Sequence, residues 1–198
     1  MGLSLTYGEG QSPLTPEELD ELKVKSISTR GELDELEQQN IEKVQEWLLG
    51  RNLSADRILS EEFIFELHRR MLGDVWSWAG QQRKTNKNIG VDSTEIRVAL
   101  RNLLDDTKYW IEHQAYPEDE IAVRFKHRIV TIHCFPNGNG RHSRLMADII
   151  IEKIFSKPMF SWGKGNTSTK GQTRSNYLAA LKAADQASVN ALLAFARS

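Results

Sequence analysis

Apolar residues recur at three- and four-residue intervals through most of the chain, the spacing of helices with one buried face. Thr15-Pro16-Glu17-Glu18 reads as N-cap, first-turn proline and capping-box glutamate, opening a short helix through Leu22. A second start at Ser28-Thr29-Arg30-Gly31-Glu32 leads into a longer helix. Leu33, Leu36, Asn40, Ile41, Val44, Trp47 and Leu48 share its buried face, and Gly50 stops it. Ser60-Glu61-Glu62 caps another helix, with Phe63, Leu67 and Met71 on a face and Gly73 after it. The period then fails. Trp76 and Trp78 read as core anchors. From Arg83 to Val98, the residues Asn86, Asn88, Gly90 and Asp92 break the chain into short apolar pieces, Ile89-Gly90-Val91 and Ile96-Arg97-Val98. That pattern predicts a small hairpin or an extended loop.

Helical spacing returns with Leu100, Leu103, Leu104, Thr107, Trp110 and Ile111. It runs again from Glu118 to Ile132, with Ile121, Phe125, Ile129 and Ile132 in one stripe. Leu145 to Phe155 is apolar except at Asp148, Glu152 and Lys153, which predicts a central, buried helix. Trp162 to Gly171 is a polar connection, and its Gly163-Lys164-Gly165 lacks the spacing of a phosphate loop. Two helices, from Thr173 to Ala184 and from Ala187 to Arg197, close the chain. The expected fold is all-α, with about seven or eight helices and one small β element.

Composition adds little to that picture. The 198 residues carry 26 basic and 27 acidic side chains, so net charge gives no ground for expecting direct nucleic-acid or anionic-membrane binding. A single cysteine, Cys134, rules out an internal disulfide framework and suits a reducing compartment. Met1-Gly2-Leu3-Ser4 formally fits a myristoylation pattern, but no basic patch follows it. With no apolar run long enough to span a bilayer and no secretory leader pattern, the expected location is the cytoplasm.

Candidate chemistry is concentrated in one string, His133-Cys134-Phe135-Pro136-Asn137-Gly138-Asn139-Gly140-Arg141-His142-Ser143-Arg144. Its two Asn-Gly pairs permit backbone at positive φ, so loop amides can turn inward. A helix starting near Gly140 points its positive end at the same place, and Arg141 and Arg144 add two guanidinium forks. Together these make an anion cradle, with His133 as a proton acceptor at its entrance. His127 and His142 are spaced wrongly for a shared metal with His133, and Cys134 reads as packing.

The string resembles the Fic (Fido) motif, His-x-Phe-x-acidic-Gly-Asn-Gly-Arg-x-x-Arg, departing from it only at Asn137, where the family has Asp or Glu. The likeness runs loosely from Ser60 to the C-terminus. The Thr29-Arg30-Gly31-Glu32-Leu33 start and the Asn-Gly-Asn-Gly-Arg core are similar to the bacterial Fic group called mobile mystery protein B. The resemblance implies a helical Fic domain over 58–198, with a β-hairpin flap at about 83–98 and an N-terminal helical extension over 1–57. It implies transfer of AMP from ATP to a Ser, Thr or Tyr hydroxyl of a protein docked on that flap. His133 would be the base, and Gly138, Asn139, Gly140, Arg141 and Arg144 would hold the phosphates. Asn137 would be a weakened Mg²⁺ position, and Tyr177 would lie on the side of the nucleotide base. Ser28-x-x-x-Glu32 is similar to the family's inhibitory motif, in which the glutamate reaches the second arginine; Leu33 stands where Gly or Asn is usual. Glu32 reads equally as the capping-box partner of Thr29. Two other classes stay open: a Fido transferase of phosphate or UMP, and a weakly active nucleotide-binding toxin or regulatory module working with a partner protein.

Overall fold

Helix α6, Glu118–Ile132, is the axis on which the other helices are assembled. The computed structural model describes residues 13–163, 170–186 and 188–198. The myristoylation pattern and most of the 162–171 connection lie outside that range. Around α6 pack α5 (Ile96–Glu112), α7 (Asn139–Ile149), a π-helical turn (Ile150–Ile154) and α9 (Asn190–Arg197). Beyond them, α2 (Arg30–Leu48) lies on α4 (Glu61–Leu72), which also touches α5 and α7. α1 (Pro16–Asp20), α3 (Ala55–Ile58) and α8 (Lys170–Asp185) complete the set, with α8 packed on α9.

Local sequence explains the helix ends. Thr15 with Glu18 and Thr29 with Glu32 both close complete capping boxes, in which hydroxyl and carboxylate satisfy first-turn and N-cap amides reciprocally. Ser54 and Ser60 each accept an amide hydrogen bond at the starts of α3 and α4. The stripe of α6 goes where its spacing sends it: Ile121, Phe125, Ile129 and Ile132 are all buried. The run after Leu145 is buried too, but widens from α to π geometry at Ile150.

Residues 13–57 share the core of the rest of the chain. Leu14, Leu22, Ile27, Leu33, Val44 and Leu48 belong to the same apolar cluster as Phe63, Phe125 and Met146. An antiparallel bridge joins Leu22 to Trp76, flanked by Lys23 N–H to Val75 O at 2.8 Å and Ser77 N–H to Glu21 O at 3.1 Å.

The expected β-hairpin flap is not formed, and no strand occurs among the described residues. The segment before α5 is a loop pinched by side chains. Asn86 Nδ2 donates to Asp92 at 2.8 Å, and the Asn86 Oδ1 accepts from the Ser93 amide at 2.8 Å. Gln82 Nε2 reaches Ser93 O at 2.8 Å, while Asp92 also takes the amide and hydroxyl of Thr94. Hydrogen bonds from Thr94 and Asn86 hold the Asp92 carboxyl down at about 2. Short Asn and Asp side chains compete here with a backbone ladder, and they win.

Candidate functional site

The loop between α6 and α7 is held from three sides. His133 ends α6 in the left-handed region, φ 58°, with its amide still bonded to Ile129 O at 3.2 Å. A residue with a Cβ costs on the order of 1 kcal/mol there, so surrounding bonds must impose it. Phe135 is buried beneath the loop, stacked at 3.7 Å on His68 and met edge-on by Phe65 and His142. His68 takes the Gly80 amide on Nδ1 at 3.0 Å, which leaves the proton on Nε2 to be donated to Asn137 O at 2.9 Å. Full burial holds this imidazole well below its ordinary pKa, with nearby His142 adding to the effect. Gly138, φ 79°, closes the turn; a Cβ there would strike Leu72 Cδ1 at 2.6 Å and crowd His68 Nε2 at 3.2 Å.

Asn139 has a different task from the one its position suggests. Its side chain accepts from the Phe135 amide at 3.0 Å and donates to Phe135 O at 2.8 Å. Oδ1 and one Nδ2 hydrogen thus brace the loop, which leaves the second Nδ2 hydrogen for another acceptor. What Asn139 and Gly140 offer an anion is the first-turn N–H groups of α7. Gly140 has no atom within 4 Å of where a Cβ would stand, so nothing in the protein requires glycine there. That open face fits a ligand approaching the backbone closely.

His133 is 6% exposed. Its Nδ1 lies 3.3 Å from Val130 O, which can only accept, so Nδ1 carries the proton and the lone pair is on Nε2. Burial first, then the positive charges of Arg83 and Lys87, depress the imidazole pKa to about 4. His133 is therefore neutral at pH 7 and able to accept a proton. Beside it, burial pushes the Cys134 thiol up to about 12, which makes it inert packing.

The two motif arginines have separate partners. Arg141 Nη1 pairs at 2.7 Å with Glu37, a carboxylate that α2 carries into the core and that is 4% exposed. The other oxygen of Glu37 accepts from Trp76 Nε1 at 2.6 Å. Arg144 lies over Tyr177, 5.3 Å from the ring centroid. The Tyr177 hydroxyl accepts from Lys126 Nζ at 2.7 Å, and burial, then Arg144, lower that lysine well below its ordinary pKa. Tyr177 is thus tied to the second arginine and to a buried amine.

Glu32 stays at its own helix start. Its Oε2 accepts from the Ser28 amide and hydroxyl at 2.9 and 3.2 Å and from the Thr29 amide at 3.0 Å. Those bonds satisfy the capping reading, and the carboxylate that α2 brings to the motif is Glu37. Sequence carried a signal for it: Glu37 falls four after Leu33 and three before Asn40, within the buried stripe.

The metal position fits poorly. Asn137 is neutral, and its Oδ1 accepts the Gly138 amide at 2.6 Å. No group of three His, Cys, Asp or Glu suited to a metal occurs among the described residues. A hard divalent cation prefers charged oxygen ligands and finds none supplied by the loop, so no step below passes through Mg²⁺.

This arrangement, a histidine at the end of one buried helix and a Gly-Asn-Gly-Arg turn opening the next, is a known one. Residues 58–151 match the model of the Fic/DOC family, and the chain carries a Fic/DOC domain there. It is 28% identical over 137 residues to the protein adenylyltransferase Fic of Drosophila grimshawi, covering 67% of this chain and 26% of that protein. The protein adenylyltransferase fic-1 of Caenorhabditis briggsae is 28% identical over 131 residues, 64% of this chain and 24% of its own length. The chain thus spans about a quarter of these curated relatives. Among solved structures, BepC of Bartonella tribocorum with bound AMPPNP superposes with a TM-score of 0.69 at 14% identity, over 92% of this chain and 97% of that one. Residues 134–508 of Fic-1 from C. elegans give 0.61 at 23% identity, over 80% and 45%. These structures share the fold. No helix among the described residues is long and apolar enough to cross a membrane.

Proposed function

We propose that this chain is a protein adenylyltransferase, moving AMP from ATP to a Ser, Thr or Tyr hydroxyl of another protein, and that Glu37 holds it in check. The observation that carries this reading is the neutral, buried His133, with its lone pair on Nε2, beside the open N-terminus of α7. The names of the curated relatives and the AMPPNP bound to BepC support it. In this reading the target hydroxyl gives its proton to Nε2 as its oxygen attacks the α-phosphorus. The bond to the β-phosphate breaks, and pyrophosphate leaves with the electron pair. First-turn amides of α7 stabilise charge on the α-phosphate, while Arg141 and Arg144 take the outer phosphates. The target segment meets the loop ahead of α5, where Ile89 is 43% exposed.

Glu37 engages Arg141 through Nη1, so in this reading the α2 carboxylate competes with a nucleotide phosphate for the same guanidinium. Inhibition is thereby moved from Glu32 to Glu37, and from Arg144 to Arg141. The neutral Asn137 favours one other reading, a nucleotide-binding regulatory module with little transfer activity.

His133→Ala decides between the two. With ATP labelled at the α-phosphate and a cell lysate as target, the variant should lose labelling yet bind ATP as wild type does. Equal labelling by both proteins overturns the assignment. No labelling by either, with ATP bound, selects the regulatory module. Label carried by the γ- but not the α-phosphate points to phosphate transfer, and UTP as the better donor to transfer of UMP.

A further inference from the structure

Arg83 is 1% exposed, and none of its side-chain hydrogen bonds among the described residues goes to a carboxylate. A guanidinium does not shed its proton, so its burial has to be compensated by acceptors. All of them are backbone carbonyls. Nε donates to His133 O at 2.6 Å, Nη1 to Thr85 O at 2.9 Å, and Nη2 to Val91 O and, at 3.5 Å, to Ile132 O. The Arg83 amide also donates to Cys134 O at 3.0 Å. One side chain therefore joins the last carbonyls of α6 to both arms of the loop that covers them. The loop is further tied down by Val91 N–H to Ile132 O at 3.4 Å. Gly90, φ 108°, passes so close that a Cβ would meet His133 Cβ at 2.7 Å and Arg83 Nη2 at 2.9 Å.

From this geometry we infer that Arg83 is a positioning residue for His133: it fixes the histidine's left-handed backbone, clamps the 85–91 loop over it, and sets a fixed positive charge beside it. The inference rests on the proposed role of His133 as base. Three features separate this from ordinary core packing. Nε donates to the carbonyl of the one left-handed non-glycine residue of the motif, not to an arbitrary turn. The carbonyls at the end of α6 carry the negative end of the helix dipole, where a fixed cation is most favourable. And Arg83 is one of two positive groups that face His133; the other, Lys87, is already paired with Glu18 and the carbonyl of Pro13. The adjacent Cys134 stays a thiol.

The test separates bonds from charge. Arg83→Lys keeps a cation but cannot reach four carbonyls; Arg83→Met removes both. Three readouts are needed: the His133 titration followed by NMR, hydrogen exchange at the Val91 amide, and AMP transfer to target. In Arg83→Met the imidazole pKa should rise by at least about half a unit and the Val91 amide should exchange at least about tenfold faster. Transfer should fall while ATP affinity holds, since the hydrogen bonds of Arg83 to this region end at Cys134, short of the phosphate-binding turn. Arg83→Lys should show the faster exchange with a smaller rise in pKa. Gly90→Ala displaces the same loop without touching the charge. It should speed Val91 exchange, and serves where Arg83→Met does not fold. Unchanged titration and exchange in a folded Arg83→Met, or in Gly90→Ala unchanged exchange, overturns the inference. The NMR and exchange readouts do not need activity. A chain that shows them but transfers no AMP refutes the proposed reaction and leaves the positioning of His133 standing.

Discussion

Glu37→Gln is the sharpest perturbation of the proposed control. Glutamine keeps the volume and an oxygen for Trp76 Nε1, so the buried 2.6 Å bond survives while the charge facing Arg141 is lost. Arg141 is 28% exposed, so the pair is neither fully screened nor fully buried, and a charge-assisted bond of this kind contributes about 1–3 kcal/mol. If ATP must break that pair to bind, wild-type affinity is reduced by the same amount, about 5- to 150-fold. Glu37→Gln should therefore bind ATP at least about fivefold more tightly by calorimetry, with α-phosphate labelling raised in parallel. Glu37→Ala adds a cost, because the indole N–H of Trp76 is left buried without an acceptor, about 1–3 kcal/mol. Its melting temperature should fall by several degrees, on the order of 2–4 °C per kcal/mol for a chain of this size. Glu32→Ala is the control: it opens a capping box, lowers melting temperature, and leaves ATP affinity where it was. A folded Glu37→Gln with equal or weaker ATP binding would refute the competition. A gain confined to Glu32→Ala would return the inhibitory role to Glu32.

Two more outcomes follow from the loop itself. Because Asn137 brings no charge, wild-type ATP affinity should change little when Mg²⁺ is chelated, whereas Asn137→Asp should acquire a Mg²⁺ dependence; equal dependence in both would show that the position does not face the metal. His133 and His142 are each depressed to about 4 chiefly by burial, and His68 in the same direction. The unfolded chain therefore binds more protons below about pH 6.5, so stability is complete above that pH and is lost as pH falls toward 4. A gap of about 2.5 units corresponds to ~3 kcal/mol per histidine at the acid end, and urea unfolding at pH 7 and pH 5 should register much of it. Flat stability across that interval would mean that these histidines are not buried neutral.

Most helices were legible because their buried faces repeat at helical spacing and their starts carry Ser, Thr and Glu at the right offsets. The short α3 was not foreseen, nor the π turn at Ile150, since an apolar run fixes burial but not pitch. The flap failed for a specific reason. Asn86 and Asp92 read as hairpin punctuation, yet their side chains bond each other and the amides of Ser93 and Thr94, which removes the need for a ladder. In the site, His133, Gly138 and the arginines were visible as a motif. His68 and Arg83 were not, because a lone histidine on a helix and a lone arginine in a loop say nothing of the distant carbonyls they meet. For Asn139 the place in the turn was legible, but the bonds of its side chain to Phe135 were not.

Glu37 and Asn40 together explain why α2 suits a reversible contact. One turn apart on the same buried face, they contribute opposite signs to the docked state. Glu37 gains Arg141 and Trp76, whereas Asn40 Nδ2 is buried with no acceptor among the described residues. An orphaned buried amide donor costs about 1–3 kcal/mol, the same order as the ion pair one turn away. Leucine at 40 would remove that cost and bind α2 to α4 more firmly. A helix evolved only to complete the core would be expected to carry such a residue there. The asparagine instead offsets part of what the Glu37 bonds contribute, while Leu33, Val44 and Leu48 still anchor α2 in the core. The N-terminal segment touches the site at both ends, through Glu37 at the phosphate turn and Glu18 at Lys87 of the covering loop. Displacing Glu37 from Arg141 therefore need not release the loop over His133, which Arg83 and Glu18 hold independently.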